Sequence, residues 1–192
     1  MRVLGVSGSP RRDGNTEILI KTAFDVFAEE GIETEFLSLA DRPIKPCIAC
    51  GGCFQSDTVD CTQKDTAFEG VIEKFTVADA ILIGSPVYFG SATPQTMSLL
   101  DRVGYVARRH PEILRRKVGA AVVVARRAGQ NFTFAQLNYF FLISEMIVPG
   151  SSYWNVAVGR EKGEVRSDAE GMEIVKTLAK NMAWLMKKLE HE

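Results

Sequence analysis

Outside residues 47–61 the chain has no cysteine, and in 192 residues it has two histidines, His110 and His191. A chain of this length buries a substantial core without cross-links, so no disulfide framework is needed to hold it. His110 stands in a charged turn before Pro111, and His191 stands in the terminal LEHE. Neither has an obvious partner, and no side chain is assigned as a catalytic acid or base. An excess of one charge is missing too. The formal net charge of -1 gives no electrostatic reason to expect nucleic acid or an anionic membrane as partner. No uninterrupted apolar run reaches the length of a membrane span, and the start, MRVLGVSGSP, lacks the apolar core of a secretory leader. Repeats, low-complexity tracts and linkers are likewise absent. These absences predict a single cytoplasmic domain over residues 1–192, with the 46% hydrophobic and 24% charged composition of an ordinary globular protein.

What is present is an alternation. Residues 2–7 (RVLGVS), 33–39, 80–84 (AILIG), 118–125 (VGAAVVVA) and a stretch near 153–158 read as strands. Between them lie helical patterns. The first is opened by Asn15 or Thr16 and carries Ile18, Leu19, Ala23, Val26 and Phe27. The second is opened by Asp65 or Thr66, where Thr66 and Glu69 fit a capping box, and the third starts at Thr93-Pro94. A fourth runs from about 131 to 147. A last one, capped by Ser167 with Glu170, carries a stripe of Ile174, Leu178, Met182, Leu185 and Leu189. Strands alternating with helices imply a parallel sheet covered on both faces. Such a sheet binds ligands outside the carboxyl ends of its strands, which points to loops 8–15, 40–64, 85–92 and 126–131.

The first of these loops, "SGSPRRDGNT" (Ser7 to Thr16), offers hydroxyls, backbone amides, a helix start and the charges of Arg11 and Arg12, all suited to a phosphate. It is neither a dinucleotide fingerprint nor a P-loop, and an ordinary capped turn is the alternative. The loop after the third strand, "GSPVYFGSATPQ", presents Tyr88, Phe89 and Gly90 where a flat heteroaromatic ring could rest. Together with the following "LLDR", the two loops resemble those of the flavodoxin-like NADPH-dependent FMN reductases. The resemblance implies a three-layer, doubly wound five-stranded parallel sheet of order 2-1-3-4-5. It also implies FMN, with Ser9, Arg11, Asn15 and Thr16 at the phosphate, Ser7 among the cofactor-binding residues, and Pro86, Val87, Tyr88, Phe89 and Gly90 at the isoalloxazine. Arg126 and Gly129, in the loop after the fourth strand, would approach the ring's pyrimidine end. Positive charge there would favour the anionic reduced flavin; a solvated loop is the alternative.

All four cysteines fall in one segment, CIACGGCFQSDTVDC, with the spacing C-x2-C-x2-C-x7-C. Three cysteines two residues apart can wrap three corners of an iron–sulfur cubane, and a later one can close the fourth. Zinc more often takes two separated C-x2-C pairs, and unligated thiols are the other alternative. The segment is similar to that of the iron–sulfur flavoprotein branch of the same family. That resemblance implies a [4Fe-4S] cluster on Cys47, Cys50, Cys53 and Cys61, in a cysteine-rich loop at 45–63 after the second strand. It also implies a redox protein that takes electrons from a one-electron donor such as a ferredoxin and passes them through cluster and FMN to oxygen, peroxide or a quinone. An NAD(P)H-dependent FMN oxidoreductase without a cluster and a flavodoxin-like electron carrier are the rivals.

Two surface readings complete the sequence. In residues 132–147 the apolar side chains Phe132, Phe134, Leu137, Tyr139, Phe140, Phe141, Leu142, Ile143, Met146 and Ile147 do not fit on one helical stripe. A helix apolar nearly all round is covered on both sides, which predicts a homo-oligomer. The resemblance implies a homodimer or homotetramer, in which a cluster loop can face a neighbour's flavin. The basic run Arg108, Arg109, Arg115, Arg116 and Lys117 reads as a solvated face or as a dock for an acidic electron carrier, and Tyr153 and Trp154 read as core or interface.

Overall fold

In a computed structural model that describes residues 1–190, strands and helices follow one another as β1 (Arg2–Ser7), α1 (Asn15–Glu29), β2 (Glu33–Ser38), α2 (Gly52–Gln55), α3 (Val71–Val77), β3 (Ala80–Pro86), α4 (Pro94–Arg109), β4 (Val118–Ala125), α5 (Gln130–Ile143), β5 (Val156–Val158) and α6 (Ala169–Leu189). His191 and the reading placed on it lie outside the described residues. All neighbouring strands pair in parallel, in the order β2-β1-β3-β4-β5, as the resemblance implies.

The strands form where β-prone apolar runs can be covered twice. Every residue of β4 is buried, as a central strand between two helical layers requires. Side chains alternate between the faces. Leu4, Ile81, Ile83, Ala121 and Val123 join a core with Phe75, Leu99, Val103, Leu137 and Phe141. Val3, Leu82, Ala120, Val122 and Val124 join a second core with Leu19, Phe27, Val175, Leu178 and Met182. Thus α3, α4 and α5 lie on one face, and α1 and α6 on the other. Among the described residues no helix is long and apolar enough to cross a membrane.

Helix starts depart from the sequence reading at three places. Neither Asn15 nor Thr16 caps α1. Gly14 is the N-cap, and no side chain caps the turn. The capping box at Thr66 and Glu69 does not form, because the chain turns through residues 66–70 and α3 begins only after Gly70, at φ 70°. Asp65 accepts instead from the amides of Ala67 and Lys45 and from Arg102, so its carboxylate organises a loop rather than a helix. At α6 the cap is Asp168, not Ser167. Its Oδ1 accepts from Gly171 N at 3.0 Å while Oδ2 accepts from Val158 N at 2.7 Å, so one side chain closes both the helix and the end of β5. The reading at α4 agrees with the structure, since Thr93 caps it and accepts from Thr96 N.

Two element ends also differ. The helix read to residue 147 stops at Ile143. Glu145 adopts φ 57°, and Ile147 leaves to pair beside β4, where Gly119 N donates to its carbonyl. The fifth strand keeps only Val156–Val158, and Tyr153 and Trp154 stand exposed before it, their rings 4.9 Å apart, so neither belongs to the core.

Candidate functional site

Four loops meet at the carboxyl ends of the strands. After β1 the chain turns within a few residues into α1, and this requires Gly8. Its amide donates to the Gly84 carbonyl at 2.7 Å, and a Cβ at that position would collide with the hydroxyl of Thr96. Thr93 Oγ1 in turn donates to the Gly8 carbonyl at 2.6 Å, and Ser85 Oγ accepts from Thr93 N. The start of α4 is therefore tied to the first loop. The first-turn amides of α1 have no intrahelical acceptor and no capping side chain, and they carry the positive end of the helix dipole.

A cavity of about 250 Å³ opens there. Ser9, Arg11, Asn15 and Thr16 line one side, Pro86, Val87 and Tyr88 another, and Arg126 and Arg160 the rim. Loops far apart in the chain, singled out separately in the sequence, thus share one cavity. The cavity is basic, and Arg11 reaches across it to donate to the Arg160 carbonyl at 3.2 Å. Other sequence-predicted residues stand apart from it. Ser7 is sealed at the end of β1 with its hydroxyl unpartnered. Gly129 backs the wall, and a Cβ there would sit 3.0 Å from Val87 Cγ1. Phe89 and Gly90 form the tip of a tight turn in which the amides and carbonyls of Tyr88 and Ser91 bond each other. Phe89 is fully exposed at φ 51°. A phenylalanine held left-handed in solvent is a strained conformation.

Asn15 has a different employment from the one its position suggests. Its amide donates to the Glu161 carbonyl at 2.9 Å and accepts from Gly163 N at 2.8 Å, so it pins the loop after β5. Gln136, on α5, escapes the sequence reading because nothing local marks it. Its Oε1 accepts from Ser91 Oγ and from Ala92 N, at 3.0 and 2.9 Å, and so braces the turn that carries Phe89. A larger open cleft, about 1110 Å³, runs along β2. Of the residues suited to a phosphate it takes only Arg12, whose guanidinium is paired with Asp41, and Lys74 in its lining is paired with Glu35.

The cysteine segment follows β2 and so emerges at the same end of the sheet. All four thiols are free. Ala49 and Gly51 take positive φ, 52° and 72°, which curls residues 47–53 into a compact turn ending in the short α2. Gly52 abuts Thr62 so closely that a Cβ would clash, which holds the turn against the Cys61 end of the loop. The Gly52 amide holds the Cys50 thiol below its ordinary pKa, against slight desolvation and with help from Thr62. Burial pushes the Cys53 thiol up, and the charges of Cys61, Cys50 and Cys47 push the same way. Among the described residues no three Cys, His, Asp or Glu side chains are grouped to hold a single metal ion. A cubane asks for something else, one thiolate at each of four separate corners, and four free thiols around one curled loop are the donor set it takes.

His110 Nδ1 lies 3.5 Å from Glu112 Oε1, which supplies the partner missing from the sequence reading, while its buried Nε2 has none. Residues 1–161 match the family described as NADPH-dependent FMN reductase. An iron–sulfur flavoprotein of Methanocaldococcus jannaschii is 41% identical over 199 residues, covering 97% of this chain and 98% of its own. Among solved structures, RosB with a bound riboflavin-phosphate intermediate superposes with a TM-score of 0.77 at 18% identity, over 100% of this chain and 81% of its own. A flavodoxin from the domain Archaea superposes with a TM-score of 0.64 at 14% identity, over 97% of this chain and 99% of its own.

Proposed function

The chain belongs to the NADPH-dependent FMN reductase family and is an FMN-dependent oxidoreductase, and from that premise we propose that it works as an iron–sulfur flavoprotein in a reducing, cytoplasmic setting. The observation that carries the proposal is the loop itself: four free thiols on one short segment, its two ends held together where Gly52 meets Thr62, at the end of the sheet where the flavin cavity opens. Bound FMN supplies one- and two-electron chemistry and a [4Fe-4S] cluster supplies single electrons.

The chain's own residues bind and orient. The α1 amides, Ser9, Arg11 and Thr16 take the phosphate. Pro86, Val87 and Tyr88 take the ring, and Gln136 braces the turn whose tip is Phe89 and Gly90. Arg126 brings positive charge to the rim, and Gly129 backs the wall. Cys47, Cys50, Cys53 and Cys61 hold the cluster. Electrons come from a ferredoxin-like donor and leave to a small acceptor such as oxygen, peroxide or a quinone.

A second reading, hydride transfer from NAD(P)H without a cluster, draws support from the matched family, whose description names NADPH as the reductant. Anaerobic mixing tests the two. Flavin that a reduced one-electron carrier bleaches while NADPH does so only slowly supports the first. Rapid bleaching by NADPH alone, in protein without iron, supports the second. Lack of turnover with any small acceptor would make the protein a carrier.

A further inference from the structure

Arg102 is the bulkiest side chain sealed from solvent, 1% exposed, and it stands on α4 rather than in the loop that carries the cysteines. A buried guanidinium is costly unless its donors are used. Here they are. Nε donates to Cys61 Sγ at 3.4 Å, Nη1 to Asp65 Oδ2 at 2.5 Å and to the Lys45 carbonyl at 3.5 Å, and Nη2 to the Gln63 carbonyl at 3.0 Å. The guanidinium carbon also lies 3.8 Å from the centre of the Phe68 ring.

The need for such an anchor follows from the loop. Cys47, Cys50 and Cys53 share one curled turn, but Cys61 is separated from the third thiol by a long spacer and stands in a stretch without helix or strand. Its own segment holds its backbone, through its amide's bond to Asp60 Oδ1 and the contact of Thr62 with Gly52, but gives its sulfur no donor. Arg102 gathers both ends of the return path, Lys45 on one side and residues 61–68 on the other, onto a rigid helix. That helix starts at Thr93, the residue that also ties down the first loop of the flavin cavity. Asp65 offsets the guanidinium's charge from one side, so what faces Cys61 is chiefly a directed N–H.

We propose that Arg102 is the positioning residue of the cysteine site: it sets Cys61 against the other three thiols, and its Nε–H, donated to the Cys61 sulfur, raises the reduction potential of the cluster. The inference rests on reading the loop as a [4Fe-4S] site. Hydrogen bonds to ligand sulfurs favour the more negatively charged reduced state and are a general lever on iron–sulfur potentials. Lysine cannot substitute, because three donors on one atom cannot span Cys61, Asp65 and Gln63 as the planar fork does.

The test compares wild type with Arg102→Lys and with the neutral pair Arg102→Gln plus Asp65→Asn, all purified without oxygen. FMN content checks the fold. Iron per chain, the rate of iron release to a chelator, and the cluster's midpoint potential are the readouts. Both variants are expected to keep FMN, to release iron at least about tenfold faster, and to show a potential lowered by about 59 mV, a tenfold change in the one-electron equilibrium. A merely structural residue would alter release without moving the potential of the clusters that remain, so an unshifted potential overturns the tuning role. An unchanged release rate overturns the positioning role. Wild-type protein with flavin but no iron overturns the cluster reading and this inference together. A wild type with its cluster, matched by both variants, overturns the inference alone.

Discussion

Arg11 lines the cavity from a loop that concentrates hydroxyls, glycine and charge just before a helix. If it meets the phosphate, Arg11→Ala weakens FMN by roughly tenfold or more, since a charged hydrogen bond is worth about 1.5–3 kcal/mol. Riboflavin, without the phosphate, should be little affected, and titration of apoprotein with both ligands checks this. Equal weakening would place Arg11 elsewhere. Asn15 looks equivalent, but its partners are Glu161 and Gly163, at the far end of the chain, and no local pattern announces them. Asn15→Ala strands the Gly163 amide and is expected to cost about 1–3 kcal/mol of stability, read from urea midpoints, and to weaken FMN and riboflavin alike. Arg102 is hidden for the same reason: the sequence shows a charge in a helix, and only the fold turns that charge toward a cysteine.

At the scale of elements, the buried strands are the easiest features to read, because β1, β3 and β4 are β-prone, largely apolar runs that suit a sheet covered on both faces. Helix starts are harder. A capping box such as Thr66 with Glu69 is a local signal, and the neighbouring Asp65, the other candidate opener, is drawn instead to Arg102 and the Lys45 amide, two partners distant in sequence. The short β5 invites overreading because exposed aromatics before it imitate a strand. Lys117, read as part of a basic run, instead closes the end of α3, donating to the carbonyls of Phe75 and Thr76 at 2.8 and 2.5 Å. Burial pushes its ammonium down to about 8, partly countered by Asp79. The unfolded chain then binds the additional proton from about pH 8 to its ordinary value of 10.5, so this group makes stability rise with pH across that window. Lys117→Met is expected to show a smaller rise in urea midpoints measured from about pH 7.5 to about pH 10, because it removes a proton whose binding differs between the folded and unfolded chain while the shifted thiols of Cys50 and Cys53 act alike in both proteins. Identical pH profiles for the two proteins would show that the amine is not desolvated.

The molecule as a whole presents an apolar face that its own chain does not cover. On α5, Thr133, Leu137 and Phe141 are buried, while Phe132, Tyr139, Leu142 and Ile143 are 60–78% exposed. Such a face is larger than isolated surface apolar residues explain and fits a contact between copies. Light scattering at micromolar concentration is expected to give at least twice the 21.2 kDa chain mass, and Phe132→Asp with Leu142→Asp to lower it. A stable species of one chain mass with full flavin would contradict the contact. Whether flavin and cluster share this one chain is tested most directly by iron analysis of protein purified without oxygen. Such protein is expected to hold about four iron atoms per chain beside one FMN, with Cys50→Ala losing the iron and keeping the flavin. Protein that carries its flavin but no iron would contradict it.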